Sequence, residues 1–107
     1  MLMFSHMFWA KLHTNNKNTV LAVCDSDIID NVYSDERGTL DLKTYAHFYK
    51  GSKLSSKAEL EILLRTGASS INITGEKAIA VAISIDLVKK ENIKTIGGIP
   101  HAQIYYI

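Results

Sequence analysis

Hydrophobic and polar residues alternate near the start of the chain in a pattern that predicts an antiparallel hairpin. Residues 8–13 place apolar side chains at every second position, which is typical of a half-buried strand. Residues 14–18 are rich in asparagine, as turns often are, and residues 19–24 are a second run of β-branched and small apolar side chains. We therefore expect two neighbouring strands joined by a tight turn.

The segment after the hairpin predicts shorter elements. Asp25 is a good helix cap, and the apolar residues among 28–32 predict a short helix directly after it. Residues 35–38 have the composition of a turn, and strand-like stretches follow at residues 39–42 and 45–49. No repeat or linker interrupts this part of the chain, so we expect it to belong to the same domain as the hairpin.

Two helices are predicted in the second half of the chain, at about residues 56–66 and 76–89. Ser56 followed by Glu59 forms a capping box, and Gly67 marks the end of the first helix. The second segment is ambiguous, because isoleucine and valine alternate with alanine as they would in a strand. Its alanines and the acidic residue at its start favour a helix, and we predict a buried helix there.

The predicted fold is α+β: a single domain with a mixed sheet, an N-terminal antiparallel hairpin and a C-terminal strand–helix–strand crossover. The crossover consists of a strand at residues 70–74, the second helix and a strand at residues 94–96. We expect a right-handed connection with polar groups near the carboxyl ends of adjacent parallel strands. In this prediction residues 7–107 form the globular domain, and residues 1–6 are a disordered or frayed extension that leaves Met7 as an alternative start.

Composition and charge narrow the class of protein. The 107 residues are 47% hydrophobic and 21% charged, with a formal net charge of +1, as in a soluble domain without a strong overall attraction for nucleic acid. The one cysteine rules out an internal disulfide. No secretory signal or membrane-length apolar run is visible, so we expect a cytoplasmic protein with no cofactor and no membrane contact. The oligomeric state stays open.

A glycine pair and the chain's one proline frame a histidine near the C-terminus. The glycines permit a tight bend, the proline fixes the next backbone angle, and residues 101 and 103 then share one face of an extended segment. The candidate ligand or partner surface consists of this segment and two polar residues near the preceding strand's end: Gly97, Gly98, Pro100, His101, Gln103, Asn72 and Glu76. The alternative is that His101 bonds a nearby carbonyl and only fixes the bend.

Aromatic and basic residues are interleaved at residues 9–13 and 45–53. Proteins hold single-stranded RNA without reading its sequence by stacking bases on aromatic rings and placing lysines against phosphates. The candidate RNA contacts are Trp9, Lys11, His13, Tyr45, Tyr49 and Lys50. The alternative, which the low net charge favours, is that the aromatic residues belong to the core and the lysines are ordinary solvated charge.

Other reactive residues have simpler interpretations. Cys24 could act as a nucleophile with His47 or His101 as its base, but its place at the end of an apolar strand favours a buried core residue. No two of His13, His47 and His101 share a ligand spacing on one element, so we expect no metal. The aspartates after Cys24 lack the spacing of a calcium-binding loop, and Asp25 as a helix cap explains them better.

Five short motifs stand out along the chain: residues 8–13 (FWAKLH), 22–25 (AVCD), 48–51 (FYKG), 72–76 (NITGE) and 97–104 (GGIPHAQI). Together they resemble the archaeal family catalogued as domain of unknown function 424, and the last motif is the most specific. The resemblance implies a small archaeal intracellular protein of no established activity, loosely associated with translation or RNA. Two features depart from the family: the extension at residues 1–6, and Asp30, where glycine is more common and a tight turn after Ile29 is therefore less expected.

Two classes of function remain open. The first is a non-enzymatic binding module associated with RNA, the ribosome or a translation protein. The second is a small enzyme or ligand-binding protein with a polar pocket around His101. The sequence contains no recognisable nucleophile–base pair or set of metal ligands, which favours the binding module. Whether the protein is an enzyme stays open at this point.

Overall fold

The computed structural model of the protein describes residues 6–106, which form eight strands and two α-helices. The strands are β1 (Phe8–Asn15), β2 (Asn18–Asp25), β3 (Val32–Asp35), β4 (Gly38–Asp41), β5 (Ser52–Leu54), β6 (Ser70–Thr74), β7 (Lys94–Ile96) and β8 (Ile99–Tyr105). The helices are α1 (Lys57–Leu64) and α2 (Glu76–Ser84), and short 3-10 helices lie at Ala46–Phe48 and Lys90–Asn92. The α+β class is confirmed.

Six strands make one mixed sheet in the order β5-β1-β2-β6-β8-β7, and β3 pairs with β4 in a separate hairpin. The predicted N-terminal hairpin is confirmed, with Phe8 opposite Asp25 and Asn15 opposite Asn18. β2 and β6 are parallel, whereas the other neighbouring pairs in the large sheet are antiparallel. This pairing explains why β2 and β6 are the most buried strands, since both lie inside the sheet and are covered on both faces.

The strand–helix–strand unit β6–α2–β7 is present, but its two strands are not adjacent. Both β6 and β7 run antiparallel to β8, so they are parallel to each other with β8 inserted between them. The prediction of adjacent parallel strands was therefore wrong. The reason is that the Gly97–Gly98 turn folds the chain straight back after β7, and the returning strand occupies the gap.

The large sheet separates two apolar clusters. On one face, α1 and α2 pack against side chains such as Leu21, Ile71 and Ile73. On the other face, Cys24 and its neighbours pack against residues 28–49, which contain the β3–β4 hairpin and a 3-10 helix. Because side chains alternate along a strand, β1 and β2 contribute residues to both clusters.

The segment after β2 differs from the prediction, because Asp25 caps no helix of its own. Residues 26–30 form turns, and the chain then enters β3 at Val32. Asp30 has a left-handed φ of +70°, and its N–H donates to the Leu42 carbonyl at 3.0 Å. Aspartate tolerates this conformation better than most residues, so a tight turn forms after Ile29 without glycine. The predicted strand at 45–49 was also wrong, since Ala46–Phe48 is a 3-10 helix.

Both long helices form where predicted, with narrower bounds. The Ser56 hydroxyl accepts the Glu59 N–H at 3.2 Å, and the Glu59 carboxylate accepts the Ser55 N–H at 3.2 Å, which closes the N-terminus of α1. α2 ends at Ser84, and Asp86 then takes a φ of +59°. That left-handed residue turns the chain out of the helix before residue 89.

Asp25 caps α2 instead of a local helix. Its carboxylate is 3% exposed and accepts the backbone N–H groups of Lys77 and Ala78, each at 2.8 Å. Gly75 has a φ of +113°, and a Cβ atom there would lie 2.3 Å from Asp25 Cγ. Burial raises the pKa of Asp25 to about 6, against the opposing effect of the two backbone hydrogen bonds.

His6 and Met7 connect the first strand to the rest of the fold. The Met7 N–H donates to the Leu54 carbonyl at 2.8 Å, and the edge of the His6 ring lies against Trp9 with 4.5 Å between centroids. The other residues of the predicted extension, 1–5, lie outside the described residues. No helix within residues 6–106 has the length and apolar character needed to cross a bilayer.

Candidate functional site

The turn between β7 and β8 presents His101 at a fixed position. Gly97 and Gly98 have φ values of +57° and +83°, which a two-residue hairpin turn requires. The Gly97 N–H donates to the Asp35 carboxylate at 2.9 Å, so the β3–β4 hairpin holds this turn from outside. Hydrogen bonds from the Arg37 side chain and from Gly97 keep the pKa of Asp35 well below its usual range. The glycine pair thus has a structural role in placing β8.

A chain of polar side chains runs across the sheet to His101. Asn72 lies opposite Gln103, and Thr74 lies opposite His101, in the pairing of β6 with β8. The Tyr49 hydroxyl donates to Asn72 Oδ1 at 3.0 Å and lies 3.1 Å from Thr74 Oγ1. Thr74 Oγ1 in turn lies 2.7 Å from His101 Nδ1. Three of the predicted residues, Asn72, His101 and Gln103, therefore lie on two paired strands.

The inner members of this polar chain are buried, and its outer end reaches solvent. Thr74 is 0% exposed and Tyr49 is 4% exposed. Burial raises the pKa of Tyr49 to about 12, so its hydroxyl keeps its proton at neutral pH. Burial, and then the positive charge of Lys94, lower the pKa of His101 below its ordinary value, so the imidazole is neutral at pH 7.

A concavity of about 350 Å³ lies beside His101. Its lining residues come from β7, β8 and the 3-10 helix before them: Asn92, Lys94, His101, Ala102, Gln103 and Tyr105. Lys94 is paired with His101 across the strands, and the Tyr105 hydroxyl donates to Gln103 Oε1 at 2.9 Å. No acidic side chain lines this concavity among residues 6–106. Its groups are one ammonium, one imidazole and amide or phenol groups.

Two of the predicted site residues have other positions. Pro100 lies opposite Thr95 in β8, and its carbonyl accepts the Gly75 N–H at 2.9 Å. Glu76 begins α2 and lines a different concavity with Asp25 and Lys77. Glu76 takes no part in the hydrogen bonds of the polar chain described above, and its membership of the His101 surface stays a prediction.

The basic and aromatic residues of β1 converge on the segment at residues 46–53. Lys50 Nζ and Lys53 Nζ lie 5.8 Å and 5.6 Å from the centre of the Trp9 ring. Lys11 Nζ donates to the His47 carbonyl at 3.0 Å. We define the basic–aromatic surface as these residues with the adjoining ring residues: Trp9, Lys11, His13, Tyr45, His47, Phe48, Lys50 and Lys53.

Aromatic rings on this surface differ in accessibility. His13 stacks on Phe48, with 4.6 Å between ring centres and 13° between planes, and its Nε2 lies 2.7 Å from the Phe48 carbonyl oxygen. Tyr45 is 60% exposed and lines a concavity of about 380 Å³ with His47, Phe48 and others. Tyr49, by contrast, is buried with its hydroxyl engaged, so no base can stack on it and we leave it out of the surface.

Carboxylates near the basic–aromatic surface are already engaged. Asp30 Oδ2 pairs with Lys50 Nζ at 2.7 Å. Asp41, which lines the same concavity as Tyr45, accepts the backbone N–H groups of Lys43 and Thr44 at 3.1 and 2.8 Å. These backbone bonds keep the pKa of Asp41 below its ordinary value. Lys11 and Lys53 form no salt bridge within residues 6–106, so their charges are available to a ligand.

The other reactive residues considered from sequence do not form a catalytic or metal centre in the described part of the chain. Cys24 is 0% exposed, and burial raises the pKa of its thiol far above the ordinary range, so it is a core residue and not a nucleophile. Within residues 6–106, no three histidine, cysteine or acidic side chains come together as metal ligands.

Three residues of the His101 region were missed from sequence. Thr74 lies two residues after Asn72 and so shares its face, a signal that was available once residues 70–74 were recognised as a strand. Lys94 and Tyr105 reach the region through strand pairing and two-residue spacing in β8. The pairing of Lys94 with His101 depends on the β7–β8 register, which follows from the two-glycine turn.

These features define a class of protein: a small α+β domain with helices on one sheet face and, on the other, a basic–aromatic surface and a polar chain that ends at a histidine. The chain belongs to the family described as "Protein of unknown function (DUF424)", whose model matches residues 13–107. This confirms the resemblance found in the sequence, although the motif at residues 8–13 lies almost wholly before the matched region.

A solved structure has a similar fold. It is described as "Crystal structure of an uncharacterized conserved protein from Methanopyrus kandleri", and it matches with a TM-score of 0.76 and 25% sequence identity. The match covers 92% of this chain and 90% of that one. No match was found among the curated proteins.

Proposed function

We propose that the protein is a non-enzymatic binding module that holds single-stranded RNA on its basic–aromatic surface. RNA in the translation machinery would be one source of such a strand. The observation that carries the proposal is the convergence of three lysines, Lys11, Lys50 and Lys53, around Trp9 and the segment at residues 46–50. Local clustering matters here because a net charge of +1 supplies no overall attraction for a polyanion.

The three ammonium groups keep capacity for phosphate. Lys11 uses one of its three N–H donors on the His47 carbonyl, and the other two remain for a ligand. Lys53 lies opposite Trp9 in the β1–β5 pair, which places its charge beside an aromatic ring. Lys50 has Asp30 as a partner, but that pair is exposed, and exchanging an exposed carboxylate for a phosphate costs little.

An exposed ring directly before the 46–50 segment supports base stacking. Tyr45 is 60% exposed, and the concavity it shares with His47 and Phe48 has about 380 Å³, enough for a planar base. A base stacked on an aromatic ring contributes about 1–3 kcal/mol, and the contact tolerates any base. β1 and the 46–50 segment hold a fixed arrangement, because the side chains of Lys11 and His13 form hydrogen bonds with backbone carbonyls of that segment.

The test is fluorescence anisotropy with a labelled oligouridine RNA of about 12 nucleotides, a length within the range of site sizes for such proteins. Three phosphate contacts predict that log K falls with log salt at a slope of about −2. The variant Lys11→Gln/Lys53→Gln should bind more weakly at low salt and have a slope of about −0.7. Tyr45→Ala should weaken binding by about fivefold or more.

A matched control is Lys57→Gln/Lys89→Gln, which removes the same charge from exposed positions outside the surface. This control should bind RNA like the unaltered protein. If the two double variants lost RNA affinity equally, the attraction would depend on total charge alone, and the proposal would be wrong. Absence of binding by the unaltered protein at low salt would also refute it.

A further inference from the structure

Proton counting along the buried polar chain determines which nitrogen of His101 carries hydrogen. With Asn72 Oδ1 facing Tyr49, that oxygen can only accept, so the single hydroxyl proton of Tyr49 is used there. Thr74 must then donate its own proton to the Tyr49 oxygen. Thr74 has no second proton, so His101 Nδ1 must donate to Thr74 Oγ1 across 2.7 Å. The neutral imidazole is therefore the Nδ1–H tautomer.

The opposite nitrogen of His101 is left with a free lone pair. Within residues 6–106, His101 Nε2 has no hydrogen-bond partner. Among those residues the buried side-chain nitrogens and oxygens without a partner do not include His101 Nε2, so this nitrogen is accessible to solvent. His101 lines the concavity of about 350 Å³ described above. In free histidine either nitrogen can carry the proton, so here the fold selects the tautomer. The concavity therefore contains a hydrogen-bond acceptor of fixed type.

Donor groups and a positive charge surround this acceptor. Lys94 is directly opposite His101 on the neighbouring strand, and opposed side chains in an antiparallel pair have Cβ atoms about 5 Å apart. Lys94 makes no salt bridge within residues 6–106. Gln103 Oε1 is occupied by the Tyr105 hydroxyl, so the Gln103 amide has its NH2 group left to donate. No carboxylate of residues 6–106 lines the concavity to neutralise the lysine.

We propose that the concavity between β7 and β8 is a binding site, separate from the RNA surface, for a small oxyanion that carries a hydroxyl group. The oxyanion, a carboxylate or a phosphate, accepts hydrogen bonds from Lys94 and Gln103. The ligand hydroxyl donates to His101 Nε2. Each group of the site meets a complementary group of the ligand, and the buried Tyr49–Thr74 pair holds the imidazole in the accepting tautomer.

The first arm of the test needs no ligand. Long-range proton–nitrogen NMR of the 15N-labelled protein at neutral pH distinguishes a protonated from a bare imidazole nitrogen. We expect His101 Nδ1 to be protonated and Nε2 to be bare. The variant Thr74→Val removes the acceptor of the Nδ1 proton and should allow the Nε2–H tautomer. A protonated Nε2 in the unaltered protein would overturn the proposal.

The second arm uses four probes: lactate, ribose 5-phosphate, sulfate and ribose. Lactate and ribose 5-phosphate combine an oxyanion with a hydroxyl, and they separate the carboxylate and phosphate sources. Sulfate has only the anion, and ribose has only hydroxyls. At least one of the first two should shift the backbone amide signals of Lys94, His101 and Gln103 at millimolar concentration, and sulfate and ribose should bind at least about tenfold more weakly.

Variants connect these shifts to the groups named. Lys94→Gln should weaken binding by about tenfold or more, because a charge-assisted hydrogen bond is lost. Lys90→Gln removes the same charge from an exposed position that does not line the concavity, and should bind like the unaltered protein. No shift with any hydroxylated oxyanion, or equal binding of sulfate, would refute the proposal. RNA binding should persist in Lys94→Gln, so the two proposals fail independently.

Discussion

Asp25 links the first half of the fold to α2, and its buried charge predicts an unusual dependence of stability on pH. The carboxylate is 3% exposed, and burial raises its pKa from the ordinary 3.8 to about 6. Between these values the unfolded chain has lost the proton while the folded protein keeps it. The folded state therefore binds more protons, and its stability falls as pH rises. This is the reverse of the behaviour of an aspartate in a salt bridge.

The magnitude follows from the size of the shift. Each pKa unit corresponds to 1.36 kcal/mol, so the Asp25 contribution should be about 3 kcal/mol smaller above pH 6 than well below pH 4. Asp25→Asn cannot ionise and resembles the protonated carboxyl in shape. The free energy of unfolding of the unaltered protein, minus that of Asp25→Asn, should therefore fall by roughly 2–3 kcal/mol from about pH 4 to pH 7.

Urea unfolding followed by tryptophan fluorescence measures this difference, because Trp9 is the one tryptophan in the chain. Asp27→Asn is the matched control: it removes a neighbouring carboxylate that is exposed and pairs with Lys77 Nζ. The free energy of unfolding of the unaltered protein, minus that of Asp27→Asn, should show no comparable fall with pH, because both proteins keep Asp25. The account of Asp25 would be contradicted if the free energy of unfolding of the unaltered protein, minus that of Asp25→Asn, stayed constant or grew as pH rises.

Three further substitutions test the packing around these sites. In the same urea assay, Gly75→Ala should destabilise the protein by at least about 2 kcal/mol, because the new Cβ would meet Asp25 Cγ at 2.3 Å in a left-handed backbone. Gly98→Ala should cost only about 1 kcal/mol, because no atom of the described residues, apart from its chain neighbours, lies within 4 Å of the new Cβ and only the backbone conformation is unfavourable. Tyr49→Phe should lower the free energy of unfolding by about 1–3 kcal/mol, because Asn72 and Thr74 lose their hydrogen-bond partner. Its RNA affinity in the anisotropy assay should stay unchanged. A loss of RNA affinity in Tyr49→Phe, which keeps the ring and removes only the hydroxyl, would show that the buried polar chain contributes to RNA binding.

Elements with strong local signals were predictable from the sequence. The N-terminal hairpin formed as expected, with its turn confined to Asn16 and Lys17 within the predicted residues 14–18, and the capping box of Ser56 and Glu59 formed as well. α2 formed despite its strand-like alternation. The small alanines fit where the helix packs closely on β2, β6 and β8, and Ala78 and Ala82 are fully buried there. Helix propensity and charge at the helix start were the better guide for this segment.

Features that depend on distant parts of the chain were not predictable. Asp25 is a helix cap, as its residue type indicates, but the helix begins about fifty residues later, and the local interpretation produced a helix that does not exist. Likewise, the insertion of β8 between β6 and β7 depends on strand pairing, which hydrophobic periodicity does not encode.

The candidate sites show the same division. Alternation along β8 placed His101 and Gln103 on one face correctly, since that signal is local. The sequence also grouped Tyr49 with the RNA contacts because aromatic and basic residues are interleaved there. Its burial against Asn72 and Thr74 is a property of the tertiary fold, and it removes that ring from the surface.

The most direct test of the central claim is to map where RNA touches the protein. Ultraviolet crosslinking of the oligouridine RNA, followed by mass spectrometry of the crosslinked peptides, reports contacts residue by residue. The account predicts crosslinks at Tyr45, Trp9 and the lysines at positions 50 and 53, and their loss at high salt. Crosslinks confined to the helix layer, at residues 57–64 or 76–84, or the absence of crosslinks at low salt, would contradict it.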